Sequence, residues 1–236
     1  MGKKYDVTNL INMVKKACNN MDTFYTEEFV NYQGNVANTS IPYTEVIADY
    51  LSAHDALFKN IKTIHRQSSY CVGTHLSKYD STSNRTEEII AMQIAKLEHI
   101  DGIGDIMDYQ VPLKNKQSNT AGKIDLLSYD DKNNIVCILE LKCPDSKETL
   151  LRCVLEGYTY KMVVDGHKLL MDFSAKAPAI NKNTKIKVFP LIFAGSLPYD
   201  EWQESIQGKR PHISKLMQLL DCKPIGLSPN VPYSVL

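Results

Sequence analysis

Three charged residues sit inside a stretch that otherwise reads as an apolar hairpin, GKIDLLSYDDKNNIVCILELKCP (122–144): Asp125, Glu140 and Lys142. With the turn centred on DKNN, Asp125 faces Glu140 across the ladder. Strand side chains alternate, so Lys142 shares their face. Two carboxylates directly opposite each other destabilise a hairpin. At about 4 Å and an effective dielectric near 20, their repulsion is on the order of 4 kcal/mol. Two remedies fit the residue types. Lys142 can close a structural ion pair, or a divalent cation can take both acids. Carboxylates on strands about 5 Å apart suit an ion with oxygens at about 2.1 Å. With no histidine nearby, oxygen ligands favour Mg²⁺ or Mn²⁺ over zinc. Leu127, Tyr129, Val136 and Ile138 make the same face apolar, which sets the acids at the edge of a core.

The elements that must position these residues are legible in part. NRTEEIIAMQIAKLEHI (84–100) opens with Asn84 and Glu87 as a capping box, then carries an apolar helical stripe through Ile90, Ile94 and Leu97. Glu87 falls on the side of Ile90 and Ile94, where an acid wants a partner, and Glu88 points to solvent. Serving the helix N-terminus is the other role open to Glu87. DIMDYQVPL (105–113) reads as a strand, and the hairpin follows a polar loop. Pro144 ends the second strand. Asp145 and Glu148 can form a capping box for a helix running to a C-cap at Gly166. KIKVFPLIFAG (185–195) predicts another strand and HISKLMQLLD (212–221) a last helix. Amphipathic stretches over 7–18 and 43–57 predict helices in the N-terminal third, and 77–85 reads as a polar linker. The expected class is α/β.

Bulk composition narrows the partners. The 236 residues are 43% hydrophobic and 23% charged, with zero net charge, so any nucleic-acid surface must be local. No apolar run approaches the roughly 18 residues of a membrane span, and no signal-peptide core opens the chain. The six cysteines show no CxxC spacing and read as reduced thiols of a cytoplasmic protein. His65 and His75 have no ligand spacing and read as surface residues.

These residues resemble the PD-(D/E)xK nuclease superfamily, with its restriction-endonuclease-like fold. The resemblance covers 84–195 and rests on Glu87 in the first core helix, KIDLL with Asp125, and LELK with Glu140 and Lys142. LEGYTY is similar to the QxxxY helix motif of λ-exonuclease-like and RecB-like members, with Glu156 for the glutamine and Tyr160 as the tyrosine. Ile124 stands where the motif's proline would be, and the literal Pro144–Asp145 follows the ExK and is a decoy. The resemblance implies an αβββαβ core with a mixed central sheet flanked by helices. Residues 1–83 would form a helical extension, and 196–236 a helix and tail packed on the core. It implies hydrolysis of phosphodiesters, in DNA ahead of RNA. Mg²⁺ or Mn²⁺ would be held by Asp125, Glu140, the carbonyl of Leu141 and Glu87, with no iron–sulfur cluster. Lys142 would orient water or steady the transition state, and Tyr160 would position Lys142 or touch the substrate. Expected phosphate contacts are Lys114, Lys116 and Lys123 beside the hairpin, Lys147 and Arg152 on the helix, and Lys182, Lys185 and Lys187 before the last strand. Lacking net positive charge, the chain would use a small footprint, a homodimer or a partner. Two other readings stay open: a degenerate nuclease fold that binds or assembles, and an unrelated α/β protein with a fortuitous D…ExK.

Overall fold

Period-two alternation in the middle of the chain and helical stripes on either side of it resolve into one mixed sheet covered by helices. A computed structural model describes residues 5–72, 86–114 and 122–236. In chain order its elements are α1 (Val7–Ala17), α2 (Tyr43–Ala53), α3 (Thr86–Ala95), β1 (His99–Ile100), β2 (Gly104–Pro112), β3 (Lys123–Asp130), β4 (Ile135–Leu141), α4 (Leu150–Val163), α5 (Gly166–Ser174), β5 (Lys185–Phe193), α6 (Leu197–Ile206), α7 (Pro211–Leu219) and β6 (Ile225–Leu227). Short 3-10 turns cover Phe24–Thr26, Glu28–Asn31 and Asp55–Asn60. The sheet order is β1-β2-β3-β4-β5-β6, antiparallel as far as β4 and parallel from β4 to β6. The protein is therefore α/β with a mixed six-stranded sheet. Among the described residues no helix is long and apolar enough to cross a membrane.

The β3–β4 turn fixes the register. Asp130 accepts from the backbone N–H of Asn133 at 3.2 Å, and Asn134 takes a left-handed φ of 53°, which asparagine tolerates. The ladder then runs from Asp130↔Ile135 to Leu126↔Leu139, and Asp125 and Glu140 are the residues that follow this last pair on the two strands. Alternation splits the core between the two sheet faces. Leu126, Leu139 and Leu141 pack with Ile90 and Ile94 of α3. Leu127, Val136 and Ile138 belong to one buried cluster that includes α4 residues and Leu10, Val14, Ile47 and Leu51 of α1 and α2. The N-terminal helices thus share the core of the face that carries the acids.

Several local expectations change. Thr149, not a box of Asp145 and Glu148, caps α4, its side chain accepting from the backbone N–H of Arg152 at 3.2 Å. Glu148 has turned toward Lys142 instead. Gly166 opens α5 rather than closing α4, because Asp165 accepts from the Lys168 backbone N–H and starts a new helix. Only Val164 and Asp165 separate the two helices, so their apolar patterns merge in the sequence. The last helix starts at Pro211, a residue suited to the first helical turn, and ends at Leu219. Helix α6 and the short strands β1 and β6 carry too little periodicity to be read in advance. Asn84, His75 and Lys116 lie outside the described residues.

Gly157 decides how close α4 comes to the sheet. A Cβ there would lie 2.9 Å from Val188 Cγ2 and 3.5 Å from Glu140 Cβ. The absent side chain lets α4 rest against β4 and β5, next to Glu140. Gly157→Val is expected to lower unfolding free energy by about 1–3 kcal/mol, because overpacking outweighs any gain in helix propensity. Urea denaturation measures it, and equal or greater stability would mean that the helix has room to move away.

Candidate active site

Strand alternation presents Asp125 and Glu140 on the α4 side of the sheet, and the helix supplies what they meet. Asp125 Oδ2 accepts from the backbone N–H of Leu141 at 2.9 Å, and its Oδ1 accepts from Gln110 Nε2 at 2.9 Å. Gln110 adopts φ of 51°, uncommon outside glycine, where the β2–β3 pairing steps from Tyr109↔Leu126 to Val111↔Ile124. Such backbone strain is typical of residues aimed for a purpose.

Lys142, one residue past the end of β4, is only 4% exposed. Its Nζ lies 3.0 Å from Glu140 Oε1, 3.0 Å from Glu148 Oε2 and 2.8 Å from Glu156 Oε2. The contacts to Glu140 and Glu156 are hydrogen bonds, and that to Glu148 is an ion contact without hydrogen-bond alignment. Tyr160, one turn after Glu156, donates its hydroxyl to Glu156 Oε1 at 3.1 Å. Glu156 is therefore buried against Lys142 and does not lie on an open helix face. Arg152 comes from the same helix and approaches Glu148 Oε1 at 3.1 Å. Glu87 reaches the group from α3 on the other side of the sheet, where the backbone N–H of Cys143 holds its carboxylate. Glu88 is half-buried like Glu87, not fully solvated.

Together these side chains line a cavity of about 350 Å³ with Gln110, Gly122 and Lys123. Gly122 is needed at its mouth, since a Cβ there would overlap the Tyr160 hydroxyl. Five carboxylates (Glu87, Asp125, Glu140, Glu148, Glu156) face three cations (Lys123, Lys142, Arg152) in this space. Burial raises the pKa of Asp125 to about 7, and Glu87 and Glu156 add to the rise, against the Leu141 N–H and Lys142. Glu140 is pushed well above the carboxylate range by burial, then by Asp125 and Glu156. Burial also raises Glu87. For Lys142 burial pulls downward, but Glu140, Glu156 and Glu148 outweigh it and hold the ammonium charged.

The expected site residues are thus brought together in part. Glu87, Asp125, Glu140, Lys142, Glu156, Tyr160, Lys123 and Arg152 line the cavity, whereas Lys114 and Lys147 do not. Lys114 offers its carbonyl to Arg66, and Lys147 is exposed with its carbonyl accepting from Gln33. Arg152 is already bound to Glu148 and to the Tyr25 carbonyl, so it is no free phosphate clamp. Lys182, Lys185 and Lys187 belong to the opposite end of the sheet. Ile135 pairs with Lys185 but Glu140 with Pro190, a separation of about 16 Å along the strand. Lys187 is paired with Asp221 there. Gln110 and Glu148 were not foreseen as site residues. Glu148, just before the helix that carries Glu156, reads in the sequence as a capping residue instead.

Among the described residues, no three His, Cys, Asp or Glu side chains are disposed to hold a metal ion as they stand. The donor chemistry nevertheless suits a hard cation. Among the described residues Glu140 Oε2 is buried without a hydrogen-bond partner, and Asp125 lies on the adjacent strand in the same cavity. Comparison of the chain with protein-family models, with curated proteins and with solved structures gives no match.

The raised carboxyls have a pH consequence in metal-free protein. A carboxyl whose pKa is higher folded than unfolded favours the folded state at low pH, because the folded chain binds the extra proton. For Asp125 that contribution is complete below its ordinary 3.8 and is lost as pH rises through about 7. The melting temperature without metal is expected to fall between about pH 5 and about pH 8, by several degrees, and Asp125→Asn to flatten the fall. Calorimetry across that range checks it; a melting temperature that climbs with pH would mean the acids are ionised at little cost.

Proposed function

We propose that this protein is a divalent-metal-dependent nuclease with a restriction-endonuclease-like core, hydrolysing phosphodiester bonds, in DNA ahead of RNA. One observation carries the reading: Asp125 and Glu140 on adjacent strands share a cavity with Lys142, and a buried oxygen of Glu140 has no partner among the described residues. The order α3-β1-β2-β3-β4-α4-α5-β5 contains the αβββαβ sequence of that fold once the two-residue β1 and the added helix α5 are set aside, with α3 and α4 on opposite faces of a mixed sheet.

Asp125 and Glu140 would hold Mg²⁺ or Mn²⁺ with the Leu141 carbonyl, and Glu87 would complete the set from α3. The cation would neutralise the paired acids, lower the pKa of water and draw charge from a phosphoryl oxygen. Without metal, the carboxylates around Lys142 hold its ammonium charged. Its role is that of a compact charge which orients the attacking water or steadies the phosphoryl oxygens. Glu156 and Tyr160 hold Lys142 in place.

A second reading has its own observation. Lys142 already touches three carboxylates, which suits a closed structural ion cluster in a degenerate nuclease fold that binds or assembles without cleaving.

Thermal melts and cleavage assays with and without millimolar Mn²⁺ separate the two. The nuclease reading expects Mn²⁺ to raise the wild-type melting temperature by mass action and to support cleavage. Asp125→Asn should lose most of both while folding at least as well as wild type without metal. Lys142→Ala should lose cleavage and also be destabilised without metal by about 3–5 kcal/mol, because it leaves buried acids uncompensated. If Mn²⁺ moves neither readout in wild type, the structural cluster stands.

A further inference from the structure

The contacts around Lys142 do not end within the core. Arg152 Nη1 donates to the backbone carbonyl of Tyr25 at 2.9 Å, and its guanidinium carbon lies 5.7 Å from the centre of the Tyr25 ring. The same ring meets Tyr160 edge to face, with centroids 5.9 Å apart and an interplanar angle of 82°. Two routes therefore leave Tyr25 and meet again at Lys142. One runs through Tyr160 and Glu156, the other through Arg152 and Glu148. The stretch around Tyr25 is itself tied to the start of α4. Thr149 Oγ1 donates to the Val30 carbonyl at 2.8 Å, the Thr149 N–H to Asn31 Oδ1 at 2.7 Å, and Gln33 Nε2 to the Lys147 carbonyl at 2.8 Å.

We propose that Tyr25 is a positioning residue for Lys142, and that the helical segment preceding the core is a working part of the site. A lysine ammonium ends a flexible stem and takes its place only from what surrounds it. Glu148 and Glu156 are flexible too, and each stays in place because an outer partner engages its second oxygen. Those partners are Arg152 and Tyr160, and both bear on Tyr25. Partners one layer out commonly decide whether a polar site is held closely enough to act. For its catalytic consequence this inference rests on the nuclease reading. Its geometric consequence, the restraint of Lys142, does not.

The test uses the full chain as wild type, Tyr25→Phe, Tyr25→Ala and, as a core control from α1, Val14→Ala. Two quantities are read: the rate of reductive methylation of Lys142 by mass spectrometry, and kcat and KM for Mn²⁺-dependent cleavage. Tyr25→Ala is expected to speed methylation of Lys142 at least about threefold and to lower kcat about tenfold, with KM changed less than about twofold. Tyr25→Phe keeps the ring and the backbone carbonyl but removes the hydroxyl that hydrogen-bonds with Tyr160, so both readouts should fall between wild type and Tyr25→Ala. Val14→Ala should lower the melting temperature and leave both readouts alone. If Tyr25→Ala does not fold, Tyr25→Leu takes its place, since it keeps apolar bulk without the ring. Unchanged methylation in the Tyr25 variant, or an equal rise in Val14→Ala, overturns the proposal. A wild type that does not cleave sinks the nuclease reading, and the methylation rates still decide the role of Tyr25.

Discussion

The ammonium of Lys142, buried among Glu140, Glu148 and Glu156, is the interaction on which the rest of the structure turns. A lone buried ammonium would discharge or unfold the site, and lone buried carboxylates would take up protons. Each sign is tolerated only because the other is present. The three acids come from different places: the end of β4, the approach to α4 and its second turn. Their convergence therefore fixes strand, loop and helix relative to one another. Gly157 makes it sterically feasible, because only a residue without a side chain lets α4 come so near Glu140 and Val188.

What the cluster leaves unbalanced is as informative as what it balances. Lys142 touches Glu140, Glu148 and Glu156, yet Glu140 keeps one buried oxygen unpaired among the described residues, and Asp125 relies on the Leu141 N–H and on Gln110. These hydrogen bonds do not offset burial, and Asp125 is raised to about 7. An arrangement selected for stability alone would replace Asp125 and Glu140 with apolar residues, as their neighbours Leu127 and Ile138 are. The cost of keeping two acids there is the physical ground for assigning them work.

The helical cover supports this arrangement from outside. Buried Glu201 of α6 accepts from the Leu150 N–H at 2.7 Å and pairs with Arg210 at 3.0 Å, which also donates to Thr44 of α2. Glu45 of α2 accepts from the His212 and Ile213 N–H groups at the start of α7. The N-terminal turn of α4, which carries Arg152 and follows directly on Glu148, is thus held by elements from both ends of the chain.

The sequence by itself determined the hairpin register, because turn position and period-two alternation are local and leave one solution for Asp125 and Glu140. It also determined the α/β class and the long helices, whose stripes are set by nearest neighbours along the chain. Only the tertiary structure decided which charges stay free. Arg152, read as a phosphate contact, is bound to Glu148 and Tyr25, and Lys185 and Lys187 lie at the far end of the strand that borders Glu140. It also decided that Glu148 leaves the helix cap for Lys142, that Gln110 lines the cavity, and that Tyr25 lies against Arg152 and Tyr160. Periodicity reports which face a residue occupies, whereas ion pairing depends on distances between segments remote in sequence, which only the folded chain sets.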